Sequence, residues 1–157
     1  MHICTFEAQT RASRQALWQL WTNPKNWPTW DSELASAELS GTFRQGVTGT
    51  LSYKDGSLKT FTVIKCEMLE SLVLAIPITK GIELIIKRDL RQQGEELVFQ
   101  QDLNLTGTPF ALMMQRSRRD PLTKGTLRQM ELLVKLLEGG LSPVKEAASG
   151  TTTKPAH

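Results

Sequence analysis

The sequence predicts an α+β fold: an antiparallel sheet of about six to seven strands, two short helices after the first strand, and one long C-terminal helix. Three observations carry this. From residue 34 to 106 apolar side chains recur largely at period two, as where Val47, Leu51 and Tyr53 alternate with Thr48, Thr50 and Ser52, which is the pattern of strands with one buried face. The breaks between these runs are brief turn signals, Asp55-Gly56, Lys80-Gly81 and Gln93-Gly94. Connections this short join antiparallel neighbours, because a parallel pair needs a crossover of a dozen residues or more. Beyond Gly107 the spacing becomes helical, with Leu127, Met130, Leu133, Val134 and Leu137 on one stripe.

The elements follow in order. Residues 3–8, ICTFEA, read as a strand with Cys4 and Phe6 on one face. Ser13 is placed to cap a helix from Arg14 to about Thr22, since its hydroxyl can accept an orphan N–H. Leu17, Trp18 and Trp21 give that helix an apolar stripe, and Asn23-Pro24 ends it because proline disfavours helix at the preceding residue. A second helical turn carries Trp27 to Trp30. Strands then follow through 47–53, 60–68, 72–78, 82–90 and 97–105. Between Val63 and Ile64 the apolar phase slips by one residue, which predicts a bulge and a curved sheet. Pro77 fits an edge position or a bulge, since it has no N–H for a ladder. Phe110, Met113 and Met114 restart the helical spacing, and Asp120-Pro121 interrupts it, with Asp120 expected to cap a new segment. Gly139-Gly140 stops the helix. Residues 1–139 are therefore expected to form one domain, and the Ser/Thr/Pro/Gly-rich segment 140–157 a disordered tail.

Composition narrows the function classes. The chain has 157 residues, 39% hydrophobic and 22% charged, enough for a single domain with a real core. The start has no basic stretch followed by an apolar one, and no long uncharged apolar run occurs, so a cytoplasmic location without integral membrane association is expected. Cys4 and Cys66 are far apart, without CxxC spacing, and read as small buried hydrophobes. Histidine occurs only at positions 2 and 157, which disfavours His-dependent catalysis and His-rich metal centres; no metal and no cofactor are expected. A net charge of +3 is too mild to imply nucleic acid. The local cluster Arg116, Arg118, Arg119, Lys124 and Arg128 has no interleaved aromatics to stack on bases, and reads as a solvated face.

Three stretches carry a family resemblance: SRQALWQLWTNPKNWPTWD after the first strand, SAELSGTFRQGVTGTL entering the sheet, and LTGTPFALMM where the last strand passes into the helix. They resemble the SRPBCC superfamily, also called START-like or Bet v 1-like, and most closely its polyketide cyclase/dehydrase-like group. The resemblance covers residues 1 to about 138. It implies the helix-grip fold, in which a curved antiparallel sheet wraps the long C-terminal helix and leaves a cavity between them. It names no function, because one fold serves many. In such a fold Trp18, Trp21, Trp27 and Trp30 are suited to close one open end with bulky, rigid side chains. The alternative is an aromatic cage for a cationic ligand.

Strand phase points to a site. The set Leu84, Ile86, Arg88, Leu90 is apolar except for Arg88, and the set Leu97, Phe99, Gln101, Leu103, Leu105 is apolar except for Gln101. If both face the cavity, a guanidinium and an amide point inside, and the guanidinium needs a partner. No acidic residue shares that phase on either strand. On this reading Arg88 and Gln101 hold the polar end of an apolar ligand, while Leu84, Ile86, Phe99, Leu103, Met113, Met114 and Trp30 contact the rest. The other reading puts Arg88 at the mouth, solvated, with its methylenes along the wall. Glu67, Glu83 and Asp102 fall on outward phases, so no carboxylate pair is supported, and no nucleophile motif is present. No catalytic residue is assigned. The expected function is binding of a small hydrophobic or amphipathic molecule, such as a lipid, isoprenoid or polyketide-like compound. Alternatives are a polyketide cyclase/dehydrase-type enzyme, with Arg88 stabilising an enolate oxygen, and a protein-interaction module presenting the basic segment Arg116 to Arg119 to an acidic partner.

Overall fold

The computed structural model describes residues 1–139 and 144–147. Strand β1 (His2–Thr10) buries Cys4, Phe6 and Ala8, the side predicted from its alternation. Ser13 then caps α1 (Arg14–Thr22), its hydroxyl accepting the Ala16 N–H at 3.1 Å. A helix of this length is marginal alone and depends on packing of its apolar face; Leu17 and Trp21 are fully buried. The Asn23 side chain accepts from the Lys25 N–H and starts a 3-10 helix over Pro24–Thr29.

The tryptophans tie these two short helices together. The Trp27 indole N–H donates to the Trp21 carbonyl and the Trp30 indole N–H to the Leu20 carbonyl, each at 3.1 Å. Those carbonyls belong to the last turn of α1, where no intrahelical donor remains. Trp21 meets Phe99 edge-on at 6.2 Å between ring centroids, and Trp27 meets Phe61 at 5.1 Å. The indoles thus serve as helix caps and core at once. The face of Trp30 does carry a cation, but it is the protein's own Arg88, 4.9 Å from the ring centroid.

The sheet is a meander of β2 (Leu34–Leu39), β3 (Thr48–Tyr53), β4 (Leu58–Glu67), β5 (Ser71–Thr79), β6 (Ile82–Gln93) and β7 (Glu96–Thr106), with every neighbour antiparallel and β1 returning to pair with β7. The register between β4 and β5 shifts between Val63 and Lys65. Val63 is buried there and Ile64 is 45% exposed, so the predicted phase slip is a bulge that bends the sheet. Pro77 lies in a central strand, beside a second register shift between Pro77 and Thr79. It also has no partner on β4, whose pairing with β5 ends at Ala75, so its missing N–H fits both a local edge and a bulge. The turn after it needs a left-handed residue, supplied by Gly81 at φ 77°.

Thr108 caps α2 (Pro109–Met113), a 3-10 turn spans Arg116–Arg118, and α3 (Arg119–Glu138) follows. The break therefore precedes the expected place, and Asp120 is not a cap. It sits in the first turn of α3 and pairs with Lys124 at 3.0 Å, where an acidic side chain favours the helix dipole. Pro121 is tolerated at the third helical position because that N–H is unpaired in any helix. Met130, Leu133 and Val134 of α3 are buried in the core, and Gly139 ends the helix at φ 68°. The sheet thus grips α3 as the helix-grip arrangement requires. One expectation is corrected: Val144–Glu146, within the segment expected to be disordered, forms β8 and pairs with β1 from Phe6 to Ala8. Apart from 144–147, the expected tail lies outside the described residues.

Candidate ligand-binding site

Between the sheet and the first half of α3 lies a cavity of about 270 Å³. Leu74, Ile76 and Ile78 of β5, Leu84 and Ile86 of β6, and Leu103 of β7 supply its apolar wall; Leu51 and Tyr53 of β3 extend it, with Trp27 and Trp30 alongside. Leu122, Gly125, Thr126 and Gln129 of α3 form the opposite side. Gly125 helps to keep the hollow: a Cβ built there meets nothing within 4 Å. Glycine inside a helix costs about 1 kcal/mol relative to alanine, so the position holds space at the expense of helix stability.

Arg88 and Gln101 meet in this cavity as cross-strand partners. Arg88 is 3% exposed and Gln101 1%, so the guanidinium is not at a solvated mouth. Arg88 Nε–H donates to Gln101 Oε1 at 2.9 Å, Gln101 Nε2–H to Gln129 Oε1 at 2.8 Å, and Gln129 Nε2–H to Asp31 Oδ2 at 3.2 Å. A guanidinium has only donors, so Gln101 must turn its oxygen to Arg88, and each following amide is then oriented by the one before. The relay ends on a carboxylate. Arg88 Nη1, in contrast, is buried and has no hydrogen-bond partner among the described residues.

Electrostatics follow from this burial. Desolvation lowers the Arg88 pKa to about 10, against the favourable field of Asp31, so the side chain stays charged at neutral pH. Burial likewise pushes the Asp31 carboxyl above its ordinary range, opposed by the Glu33 backbone N–H and by Arg88. Tyr53 rises to about 12 through burial and the neighbouring carboxylates of Asp31, Glu33 and Asp55. Its phenol therefore keeps its proton as a donor on the cavity wall.

Of the residues predicted for the site, Trp30, Leu84, Ile86, Arg88, Gln101 and Leu103 do line one cavity. Phe99 does not: it is fully buried beside Trp21. Met113 and Met114 are also corrected, being 50% and 64% exposed and outside the cavity. The 3-10 turn at Arg116–Arg118 separates α2 from α3, so the helical phase relating Met113 to Met130 is lost. Glu67 and Glu83 are exposed, as their phase required. Asp102, one residue on from Gln101, is held by His2 at 3.1 Å, Asn104 at 2.6 Å and the Thr5 hydroxyl.

Two site residues escaped the sequence reading. Asp31 follows the 3-10 helix and reaches the cavity from outside the sheet. Gln129 lies on the cavity stripe of α3 with Leu122, Gly125 and Thr126, at helical spacing. Extending that stripe to polar residues would have found it; only the fold could bring Asp31. Among the described residues no cluster of three or more His, Cys, Asp or Glu could hold a metal, and no helix is long and apolar enough to cross a membrane. A second hollow of about 570 Å³, between the 3-10 helix and β2, is lined by Asn23, Pro24, Lys25, Pro28 and residues 35–39, without a buried charge.

No family model and no curated protein matches the chain. Solved structures do. DynU16, a putative protein in the dynemicin biosynthetic locus, is 20% identical with a TM-score of 0.67 over 88% of this chain and 48% of its own. The chain thus spans about half the length of DynU16. Norcoclaurine synthase from Thalictrum flavum in complex with dopamine and hydroxybenzaldehyde is 14% identical, TM-score 0.64, over 88% of this chain and 87% of that one. A START superfamily protein from Mycobacterium smegmatis is 11% identical, TM-score 0.67, over 88% and 99%. At these identities the likeness is one of fold: a curved antiparallel sheet gripping a long C-terminal helix.

Proposed function

We propose that the chain binds one small, largely apolar molecule in the cavity between sheet and α3, with Arg88 and Gln101 holding its polar end. The observation that carries this is the state of Arg88: a charged side chain 3% exposed, lining a cavity beside Leu84 and Ile86, with Nη1 unpartnered among the described residues. Leaving a buried donor unmade costs about 1–3 kcal/mol, and departures from self-consistent packing concentrate at functional sites. Gly125 supports the same reading, because any larger residue there would narrow the space. A cavity of about 270 Å³ suits a small, short-chain molecule. A ligand reaching toward the open side past Lys59 and Arg118 would be larger.

Native mass spectrometry tests this after incubation with methyl hexyl ketone. The reading predicts a discrete one-to-one adduct on the wild type that is absent from Gly125→Leu. Adducts of equal abundance on both, or on neither, contradict it.

Asp31 favours a second reading, an enzyme of the cyclase/dehydrase type. A carboxyl raised by burial beside a guanidinium and a protonated phenol is the kind of grouping that removes a proton and stabilises the oxyanion that results. This reading predicts that a bound polyketone is recovered altered; the first predicts that ligand is recovered unchanged.

A further inference from the structure

We infer that the cavity selects an electrically neutral ligand bearing a carbonyl-type hydrogen-bond acceptor, and that Asp31 is the residue that turns carboxylates away. This rests on reading the cavity as a ligand site and goes on to name the chemistry of the ligand's polar end.

Two observations carry it. The first is the charge inventory of the lining, which contains three carboxylates, Asp31, Glu33 and Asp55, and three cations, Lys59, Arg88 and Arg118. The formal charges cancel, so the lining as a whole carries no net charge that would draw in an ion of either sign. In its interior the same cancellation holds on a smaller scale, since the cation Arg88 and the anion Asp31 stand at the two ends of one relay through Gln101 and Gln129.

The second observation is what that relay leaves unsatisfied. Each amide and carboxylate oxygen of the relay accepts a hydrogen bond, Asp31 Oδ1 from the Glu33 N–H at 3.2 Å. The buried relay atom without a partner among the described residues is a donor, Arg88 Nη1. A ketone, aldehyde or ester oxygen would satisfy it and bring no charge. A carboxylate would satisfy it too, but as a second anion beside Asp31, stripped of water and with no second cation buried nearby. An uncompensated charge in an apolar site is costly. An alkylammonium ion fails for the opposite reason, since it offers only donors to a group that is itself a donor.

The test is a tryptophan-fluorescence titration of the full chain at pH 7.5 with two probes of matched length, methyl hexyl ketone and octanoate. Trp27 and Trp30 line the cavity and report occupancy. Wild type is expected to bind the ketone at least about tenfold more tightly than octanoate. In Asp31→Asn the interior keeps the Arg88 cation without its counter-anion, and the preference is expected to narrow by about tenfold or reverse, through gain of octanoate binding. Octanoate binding as tightly as the ketone in wild type overturns the inference whether or not the variant folds. An unchanged ratio in a folded Asp31→Asn overturns it as well. If neither probe binds wild type, the reading of the cavity as a ligand site fails, and this inference fails with it.

Discussion

Arg88 on β6 and Gln101 on β7 stand directly opposite one another, joined by an Nε–H···Oε1 hydrogen bond of 2.9 Å inside the cavity between the sheet and α3. The bond commits the guanidinium Nε to Gln101, while Nη1 has no hydrogen-bond partner among the described residues.

Arg88→Met separates binding from stability. Removing the buried guanidinium ends its desolvation cost but leaves the buried Gln101 Oε1 without its donor, which costs about 1–3 kcal/mol. Urea unfolding is expected to shift by no more than about 3 kcal/mol. Affinity for methyl hexyl ketone, measured by fluorescence titration, is expected to fall about tenfold, the worth of a hydrogen bond to a charged donor.

Gly125→Leu fills the cavity from the helix side. The variant is expected to unfold at higher urea concentration, by about 0.5–1 kcal/mol, because leucine is a far better helix former. A variant that gains stability while losing the ketone would show that the glycine is kept for space.

At Gly49 the opposite outcome is expected. A Cβ there would collide with the Phe61 ring and the Glu38 carbonyl oxygen, both in the strands flanking β3. Gly49→Ala is expected to destabilise by about 1–3 kcal/mol in urea unfolding, since neither neighbour can move without disturbing the sheet.

The Asp31 carboxyl gives a pH signature. Burial raises its pKa in the folded state above the ordinary 3.8, so the folded protein binds that proton more tightly than the unfolded chain. The stability this contributes is present at low pH and is lost as pH rises through the raised value. Asparagine has no such proton. The stability of Asp31→Asn minus that of wild type, followed by urea unfolding, is therefore expected to increase as pH rises from about 4 and then level off. A difference that is flat or falls with pH would contradict the assignment.

The strands, their antiparallel order, the bulge at Val63 and the Ser13 cap were legible because each depends on local spacing. So were Arg88 and Gln101, since a lone polar residue on an apolar strand face stands out. Asp31 was not, because it reaches the cavity from a segment outside the sheet that no strand phase governs. Met113 and Met114 were misplaced because periodicity was carried across a break, and a turn of 3-10 helix resets the phase. Val144–Glu146 was read as disordered from its composition; what it gains by pairing with the free edge of β1 is a tertiary effect.

A crystal structure of the protein soaked with methyl hexyl ketone would test the central claim most directly. The predicted result is the ketone between α3 and β6, its carbonyl oxygen about 2.9 Å from Arg88 Nη1 and its alkyl chain against Leu84 and Ile86. A cavity closed by side chains, or a ketone whose oxygen faces Lys59 and Arg118 instead, would contradict it.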